Sequence, residues 1–281
     1  MKKVAIITDS TAYLPQDLVD DLGLHIVPLT LHWEDLTYLD GVDIRAEEFY
    51  ERLSSANSIP TTSQTPVDVF EKLFQKLLDE DYAVFAMLIS SGISGTVDSA
   101  MQAKKHFADA PVEVMDTQLV SMALGFLVLT VARAAKDGAS LEECVELAEA
   151  TYPKIGVYFT VDTLKYLNKG GRINTAKRLL GSALDLKPIM EIRGGKIELV
   201  ESVRSRKKSL LRMLELVERD ISLNDQVRIS TFHAAAEEDC QKLMDEAVAR
   251  FYPIETIMTF VSPVIGTHTG PGTVSIAYMK G

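Results

Sequence analysis

The sequence predicts a two-domain α/β protein, with an N-terminal α/β/α domain built on a parallel sheet and a C-terminal α+β domain with a mixed sheet. Through the first half of the chain, short apolar runs alternate with longer amphipathic stretches, a pattern typical of parallel strands covered by helices. After Tyr152 the pattern changes. Two runs in which apolar and polar residues alternate flank Gly194-Gly195. A glycine pair between two such runs indicates an antiparallel hairpin. We therefore predict domains over residues 1–152 and 153–281.

The N-terminal half contains predicted strands and helices in alternation. The strands cover residues 4–7, 82–89 and 112–115, and the helices cover 15–22, 66–79, 95–107, 118–136 and 141–151. Pro15 suits the first turn of the first helix, and Gly23 lies just beyond its end. Ser140 begins a capping box for the last helix, and Thr65 begins a similar pattern before the second.

The C-terminal half contains further predicted strands separated by helices and turns. They cover residues 154–161, the two hairpin runs within 188–203, and 226–232, 254–260 and 273–279. Because antiparallel pairing is combined here with helices, we expect a mixed sheet.

The charge of the chain excludes some classes of partner. The 281 residues include 29 basic and 40 acidic side chains, which gives a formal charge of −11. A surface of this charge repels nucleic acid phosphates and anionic lipid headgroups, so we expect no nucleic acid partner. Any bound anion must be held by local hydrogen-bond donors and nearby basic groups.

Targeting and disulfide signals are weak. The first apolar run ends at Ile7, too early for a signal peptide. The longest apolar stretch, residues 119–131, is interrupted by polar residues and is shorter than a membrane span. Cys144 and Cys240 lie far apart in helical patterns, as expected of two buried thiols. We expect a cytoplasmic protein.

Hydroxyl-bearing side chains are concentrated where predicted strands end. They lie in residues 8–11, 60–66, 90–96, 116–117 and 262–272. Loops at the carboxyl ends of parallel strands, with the helix N-termini that follow them, present free N–H groups to ligands. Each hydroxyl taken singly is more readily explained as a cap for its own helix. Several such loops in one chain favour a binding site.

Motifs for nucleotide and metal binding are missing from the sequence. The chain has neither G-x-x-x-x-G-K-[ST] nor G-x-G-x-x-G. Its five histidines are scattered, with no H-x-x-x-H pair. We therefore predict no metal site and no cofactor.

A serine hydrolase acting on lipid esters is the alternative enzymatic interpretation. Ser94, then Asp116 or Asp162, then His268 follow the chain order of the α/β-hydrolase triad. However, residues 92–96 read G-I-S-G-T and miss the G-x-S-x-G elbow. This departure weakens the hydrolase hypothesis without removing it.

A bound carboxylate suits the remaining pattern. It is ionised at neutral pH, and once buried it needs several hydrogen-bond donors. Arg172, which follows the Gly170-Gly171 turn, is a candidate counter-charge. A surface position at a helix entry explains Arg172 equally well.

Seven segments, in chain order, resemble signature segments of the DegV family, whose members are called FakB where they serve a fatty acid kinase. The segments are TDSTAYLP (8–15), TSQTP (62–66), SSGISGT (90–96), YLNKGGRI (166–173), LKPIM with GGKI (186–197), RSRKKSL (204–210) and SPVIGTHTGPG (262–272). The resemblance covers essentially the whole chain. It implies a two-domain fold that holds a long-chain fatty acid in an interior tunnel and presents it to a kinase. The protein itself would then not be an enzyme.

The resemblance also implies roles for individual residues. Thr62 and Ser94 match positions whose hydroxyls hold the fatty acid carboxylate, with Ser63 beside them. His268 and Arg172 match a pair that orders the carboxyl end. His268 is then a hydrogen-bonding group, neither a metal ligand nor a triad base.

A partner surface is also implied. The basic run at 204–208 begins a predicted helix, where the helix dipole disfavours positive charge. It matches a segment implicated in kinase docking, with Arg204 and Arg206 as the docking residues. Removal of the fatty acid from a bilayer implies transient membrane contact. One departure from the family pattern is Asp185, whose negative charge would matter if it faced the ligand.

Overall fold

The computed structural model describes residues 2–56, 58–180, 186–222 and 225–281 and contains the predicted two-domain α/β fold, a parallel sheet followed by a mixed sheet. Its strands are β1 Val4–Asp9, β2 His25–Val27, β3 Thr30–Trp33, β4 Leu36–Leu39, β5 Thr61–Ser63, β6 Ala83–Leu88, β7 Val112–Asp116, β8 Ile155–Thr160, β9 Lys187–Arg193, β10 Lys196–Val203, β11 Val227–His233, β12 Glu255–Phe260 and β13 Val274–Lys280. Its helices are α1 Gln16–Leu22, α2 Ala46–Ser55, α3 Val67–Asp79, α4 Thr96–Lys104, α5 Ser121–Lys136, α6 Leu141–Thr151, α7 Lys165–Lys169, α8 Arg206–Asp220, α9 Glu237–Phe251 and α10 Pro263–Thr269.

The N-terminal sheet has the strand order β2-β1-β6-β7, and its strands pair in parallel. Every residue of β1 and β6 is buried, as expected for a sheet with both faces covered. One face packs against α4 and against Phe70, Phe74 and Leu77 of α3. The other face contacts α5. The predicted α/β/α arrangement is therefore confirmed.

Helix α5 lies between the two sheets. It contacts β1 and β6 of the parallel sheet and β8 and β13 of the mixed sheet, and every residue from Met122 to Leu129 is buried. Gly125 permits close packing, because a Cβ there would lie 2.6 Å from the carbonyl oxygen of Ala12. The long apolar stretch of the sequence is thus explained by burial on two sides. None of the described helices has both the length and the hydropathy required to cross a membrane.

The C-terminal sheet has the strand order β10-β9-β8-β13-β11-β12, in which β11 and β12 are parallel and the other neighbours antiparallel. The predicted hairpin is confirmed as β9 and β10. Its turn residues Gly194 (φ 54°) and Gly195 (φ 74°) adopt the left-handed conformation that favours glycine. The chain enters β8 through a 3₁₀ turn, Tyr152–Lys154. The domain boundary near residue 152 stays a prediction.

A small antiparallel sheet of order β4-β3-β5 and the helices α2 and α10 lie outside the sequence prediction. These strands have only three or four residues each, too few for a readable alternation. β5 falls within the 60–66 segment, which is predicted to be a loop. α10 falls within the glycine-rich 262–272 segment, although Pro263 at its first position is a helix-start signal.

The two predicted capping patterns have different outcomes. The Ser140 capping box is confirmed: Glu143 N donates to Ser140 Oγ at 3.2 Å, and Ser140 N donates to Glu143 Oε2 at 2.7 Å. The Thr65 prediction is wrong, because α3 begins one residue later, after Pro66. The buried Thr65 hydroxyl instead donates to the carbonyl oxygen of Pro28 at 2.9 Å.

A charged cluster links α5 to the far edge of the mixed sheet. Arg133 of α5 donates to both carboxylate oxygens of Glu255 on β12, at 2.9 and 2.5 Å, and Arg228 Nε donates to the same carboxylate at 3.0 Å. The Arg133 hydrogen bond lowers the pKa of Glu255, and burial opposes this shift. The two-point contact fixes the angle of the guanidinium as well as its position.

We expect Glu255→Gln to lower the free energy of unfolding at neutral pH by about 1 kcal/mol, because each partner retains some solvent contact. Since the folded-state pKa of Glu255 lies below its ordinary value of 4.5, the stabilisation is complete above that value. It is lost as the pH falls through the lower folded-state pKa. Urea unfolding at several pH values measures the difference.

Glu246→Gln is the matched control. Glu246 is exposed and lies 3.6 Å from Arg250 on the same helix, so we expect a loss of no more than about 0.5 kcal/mol. Equal losses of unfolding free energy for the two variants would contradict a stabilising role of the Arg133–Glu255 ion pair. A loss for Glu255→Gln that persists in strong acid would contradict it as well.

Candidate functional site

The Thr62 and His268 side chains meet at the centre of the site. Thr62 is the middle residue of β5, and His268 is the penultimate residue of α10. Thr62 Oγ1 and His268 Nε2 are 2.8 Å apart, a hydrogen-bond distance. The structure therefore brings together two predicted site residues that are 206 positions apart in the chain.

The surroundings of His268 determine its protonation. Its Nδ1 atom is buried and has no hydrogen-bond partner among the described residues. It faces Gly170, where a Cβ would lie only 2.0 Å from Nδ1. A buried N–H without an acceptor is costly, so we assign the proton to Nε2, which then donates to Thr62 Oγ1. In this arrangement the Thr62 hydroxyl hydrogen is free to donate to a ligand.

The His268 ring is held neutral. Burial lowers its pKa to about 4, and the positive charge of Arg172 contributes to the same shift. A neutral imidazole beside a guanidinium gives the site one permanent positive charge and one fixed donor. Neither changes between pH 5 and 8, because the His268 pKa lies below that range.

Arg172 forms hydrogen bonds to two loops at the edge of the site. Its Nε donates to the carbonyl oxygen of Ile93 at 3.2 Å, and its Nη1 donates to the carbonyl oxygen of Gly170 at 2.6 Å. The first contact crosses from the C-terminal half of the chain to the loop after β6. Arg172 also lines the adjacent cavity, so the interpretation as a surface residue alone is wrong.

Ser94 lies in the loop after β6, two residues before α4 begins. Its Oγ accepts from the Thr96 backbone N–H at 3.3 Å and is 3.0 Å from Thr96 Oγ1. The loop packs closely on the segment after β5, since a Cβ on Gly95 would lie 2.2 Å from Gln64 Oε1. The end of β5, which carries Thr62, and the loop that carries Ser94 are therefore neighbours.

Ser63 is placed differently from the other predicted residues. It is exposed, and its Oγ is 3.0 Å from His32 Nε2. Successive side chains on a strand point to opposite faces, so Ser63 lies on the face of β5 opposite Thr62. The structure does not bring it to the His268 side, and its contact with a ligand stays a prediction.

An apolar cavity adjoins the His268 side chain. It lies between the two halves of the chain, and the empty space within it and at its opening amounts to about 560 Å³. The lining is mainly aliphatic and aromatic, and its ionisable groups are Tyr13, Arg172 and His268. The lining residues are Tyr13, Ile93, Val120, Ser121, Val157, Phe159, Arg172, Ile192, Ile197, Phe232, Val261, Ile265, His268, Thr269, Thr273 and Ser275.

One wall of the cavity is the face of the mixed sheet. Ile197, Ile192 and Val157 lie on adjacent strands from β10 to β8, and Phe232 lies further along on β11. Five strands at a spacing of about 4.8 Å extend this wall over roughly 19 Å. Sequence reasoning missed these wall residues because a buried strand shows only that it is apolar, not which residues face a void.

The hydrolase triad is not assembled in the part of the chain that the structure describes. His268 Nε2 bonds to Thr62 rather than to Ser94, and Asp116 bonds to Ser91. Asp162 lies near Arg206, 3.8 Å from its Nη1. Among the described residues, no group of three or more His, Cys, Asp and Glu side chains is arranged to hold a metal ion.

The two predicted docking arginines differ in accessibility. Arg204 is exposed. Arg206 is largely covered, and its Nε donates to Asp239 at 2.8 Å. Arg206 thus already has a partner within the chain, whereas Arg204 is presented to solvent. Asp185 lies outside the described residues.

The fold and the cavity define a class of two-domain α/β protein with an apolar cavity between its N-terminal and C-terminal halves. The sequence model of the DegV family, described as uncharacterised proteins, matches residues 3–281. The chain belongs to the DegV family. Protein DegV of Bacillus subtilis is 34% identical over 276 residues, covering 98% of each chain.

Solved structures of DegV proteins closely match this fold. A Thermus thermophilus DegV family protein, described by its fatty acid binding, superposes with a TM-score of 0.93 at 32% identity over 99% of both chains. DegV of Bacillus subtilis, described as a fatty acid binding protein, gives a TM-score of 0.91 at 33% identity over 100% of both chains.

We expect the His268 imidazole to titrate with a midpoint of about 4 rather than near 6.5. A histidine in the unfolded chain takes up a proton near pH 6.5, whereas His268 in the folded chain does so only near pH 4. The free energy of unfolding should therefore fall as the pH drops from 6.5 towards 4. Two-bond ¹H–¹⁵N spectra measure both the midpoint and the tautomer, with His268→Asn to assign the signal. A midpoint near 6.5, or a proton on Nδ1 at neutral pH, would contradict this assignment.

Proposed function

We propose that this protein binds a long-chain fatty acid in the apolar cavity and presents its carboxyl group to a separate fatty acid kinase. The observation that carries the proposal is the Thr62–His268 hydrogen bond at the edge of a cavity lined mainly by apolar side chains. The descriptions of the Thermus thermophilus and Bacillus subtilis proteins as fatty acid binding support the same ligand class.

The carboxylate would replace its hydration shell with donors from several separate segments of the chain. His268 Nε2–H bonds to Thr62 Oγ1, so the Thr62 hydroxyl hydrogen is directed to the ligand. Ser94 supplies a second hydroxyl, and Arg172 supplies the positive charge. A buried carboxylate is stable only when such donors replace water, and hydrogen bonds to a charged group are about twice as strong as neutral ones.

The acyl chain would supply most of the affinity. Each buried methylene contributes about 0.8 kcal/mol, so a chain of about sixteen carbons contributes roughly 10 kcal/mol before the cost of ordering it. The polar group then mainly fixes orientation. This division of roles suits a carrier that must present one end of its ligand in a defined position.

The phosphoryl transfer would be performed by the partner. We therefore propose that the protein is a carrier rather than an enzyme, that it needs no cofactor, and that it acts in the cytoplasm with transient contact to the membrane. The exposed Arg204 is the residue we assign to kinase docking. Arg206 is less suited, because it is paired with Asp239.

Extraction of the purified protein tests the ligand class. Native mass spectrometry followed by organic extraction should find about one equivalent of a long-chain fatty acid per chain. Protein that carries no lipid and does not bind added palmitate would overturn the proposal.

We expect Thr62→Val to weaken palmitate binding about ten- to a hundredfold, because a lost charge-assisted hydrogen bond costs about 1.5–3 kcal/mol. The variant keeps the β-branched shape, so the strand and stability should be retained. Thr61→Val is the matched control: Thr61 is exposed and occupies the preceding position on the same strand. Equal affinities for the two variants would mean that the carboxylate lies elsewhere.

We expect Arg204→Ala to leave palmitate binding intact and to lower kinase-dependent acyl phosphate formation at least tenfold at limiting carrier concentration, as for loss of a central arginine contact. Arg45→Ala is the control, since Arg45 is also an exposed arginine but lies outside the basic run. Wild-type turnover in the Arg204 variant would mean that the kinase docks on another surface.

A further inference from the structure

A groove on the protein surface lies apart from the cavity. It runs between α2 and the start of α9, and it shares no lining residue with the cavity. Phe232 and His233 are successive residues of β11, so their side chains point to opposite faces of the sheet. Phe232 lines the cavity, whereas His233 lines the groove. A ligand held in the groove is therefore separate from one held in the cavity.

Acidic side chains dominate this surface, which we call the acidic groove. Its lining has one guanidinium, that of Arg206, against six carboxylates: Glu47, Glu51, Asp162, Glu237, Glu238 and Asp239. Arg206 is already engaged, since its Nε donates to Asp239 at 2.8 Å and its Nη1 lies 3.8 Å from Asp162. Among the described residues, three of the carboxylates have no cationic partner: Glu47, Glu51 and Glu237. The groove therefore attracts cations.

The helix dipole explains only part of this negative charge. Glu47 and Glu237 lie in the first turns of α2 and α9, where the dipole favours acidic side chains. Glu51 lies one turn further along α2, on the same side of the helix as Glu47. Two like charges at this spacing repel each other, so the pair is unfavourable for the helix itself. A cation bound between them would remove that repulsion.

A buried hydrogen-bond donor is directed into the acidic groove. His233 is only 3% exposed, and its Nδ1 accepts from the Ala236 backbone N–H at 3.2 Å. Burial lowers the pKa of His233, and the charge of Glu237 opposes this shift, so the ring is neutral at pH 7 and carries its proton on Nε2. This Nε2–H has no acceptor among the described residues, yet Nε2 is not one of the unpartnered polar atoms sealed from solvent. It is an unused donor that a ligand in the groove can reach.

Two further features of the groove suit a peptide. Ala236 gives α9 no side-chain cap, and the N–H groups of a first helical turn have no partner within their own helix, so they are open to carbonyl oxygens. Phe260, at the end of β12, is 42% exposed and meets the His233 ring edge-on, with centroids 4.9 Å apart. The exposed part of this ring can pack against the stem or the charged end of a lysine or arginine.

We propose that the acidic groove binds a basic peptide segment of a partner protein, with two Lys or Arg residues separated by one position. Glu47 and Glu51 are four residues apart on α2, or about 6 Å along the helix, and alternate residues of an extended peptide are about 6.7 Å apart. The two peptide cations face this pair, and a peptide carbonyl oxygen accepts from His233 Nε2–H. A small amine would match the carboxylates but leave the His233 donor unused. The proposal does not depend on the ligand of the cavity.

Selection from a phage-displayed library of random dodecapeptides tests the proposal on the full chain. Peptides captured by wild type, after depletion on the Glu47→Gln, Glu51→Gln double variant, should carry two Lys or Arg residues separated by one position. Calorimetry with the most enriched peptide should give one site per chain and an affinity about five- to tenfold lower in the double variant, the value of two exposed ion pairs. No enrichment, or enriched peptides without paired basic residues, would overturn the proposal.

The double variant Glu142→Gln, Glu146→Gln is the matched control. Glu142 and Glu146 are exposed and are the second and sixth residues of α6, as Glu47 and Glu51 are of α2. The change in net charge is the same in both double variants, so the control should bind the peptide as wild type does. An equal loss of affinity would mean that the peptide responds only to the net charge of the chain, and the groove would be overturned as its site.

His233→Asn separates a peptide from a simple cation. Asparagine offers an acceptor to the Ala236 amide but no donor at the position of Nε2. We expect peptide affinity to fall about three- to tenfold, even at high ionic strength, where exposed ion pairs are screened. Unchanged peptide affinity, or displacement of the peptide from wild type by equimolar spermidine, would overturn the peptide assignment. If His233→Asn does not fold, the spermidine competition decides alone.

A second copy of the chain is another possible source of a basic segment, through its residues 204–208. Sedimentation should show the same oligomeric state for wild type and for the Glu47→Gln, Glu51→Gln variant. A dimer that dissociates in this variant would assign the groove to a second copy and overturn the proposal of a partner protein. Palmitate binding should be equal in wild type and variant, because the groove and the cavity share no lining residue.

Discussion

The contact between Thr62 and His268 is the interaction on which the site depends. It joins a short strand of the N-terminal half to a helix of the C-terminal half, and it converts a histidine into a fixed donor. The histidine stays neutral because its Nδ1 is enclosed and Arg172 is near. Gly170 is required beside it, since any Cβ there would overlap the ring. A carboxylate meeting this arrangement finds donors that do not depend on pH in the physiological range.

The position of the cavity follows from the way the two domains share a helix. Helix α5 is buried between the parallel and the mixed sheet, so the domains are held at a distance set by one helix diameter, about 10 Å. Beyond the N-terminal end of α5, at Val120 and Ser121, the same separation is filled by the cavity. An apolar space thus arises between packed layers without disrupting either sheet, and its lining includes Ile93 and Thr269 from two of the hydroxyl-rich segments.

Much of this architecture is readable from the sequence. The parallel strands, the hairpin at Gly194-Gly195 and the Ser140 capping box are local patterns, and each is confirmed. The loops that meet at the site are also identifiable, because their composition is unusual. The contact of Thr62 with His268 could not be predicted from the sequence, because no local sequence pattern connects two residues so far apart in the chain. The place of Tyr13 in the cavity wall could not be predicted either, because nothing in the segment TDSTAYLP shows where its ring lies in the folded chain.

The central claim is that the fatty acid carboxylate lies at the Thr62–His268 pair. A crystal structure with a fatty acid brominated at its methyl end tests it most directly, because anomalous scattering from bromine locates that end without ambiguity. We expect a carboxylate oxygen within about 3.2 Å of Thr62 Oγ1 and the bromine at the opposite, apolar end of the cavity. Bromine beside His268, or a carboxylate held elsewhere, would contradict it.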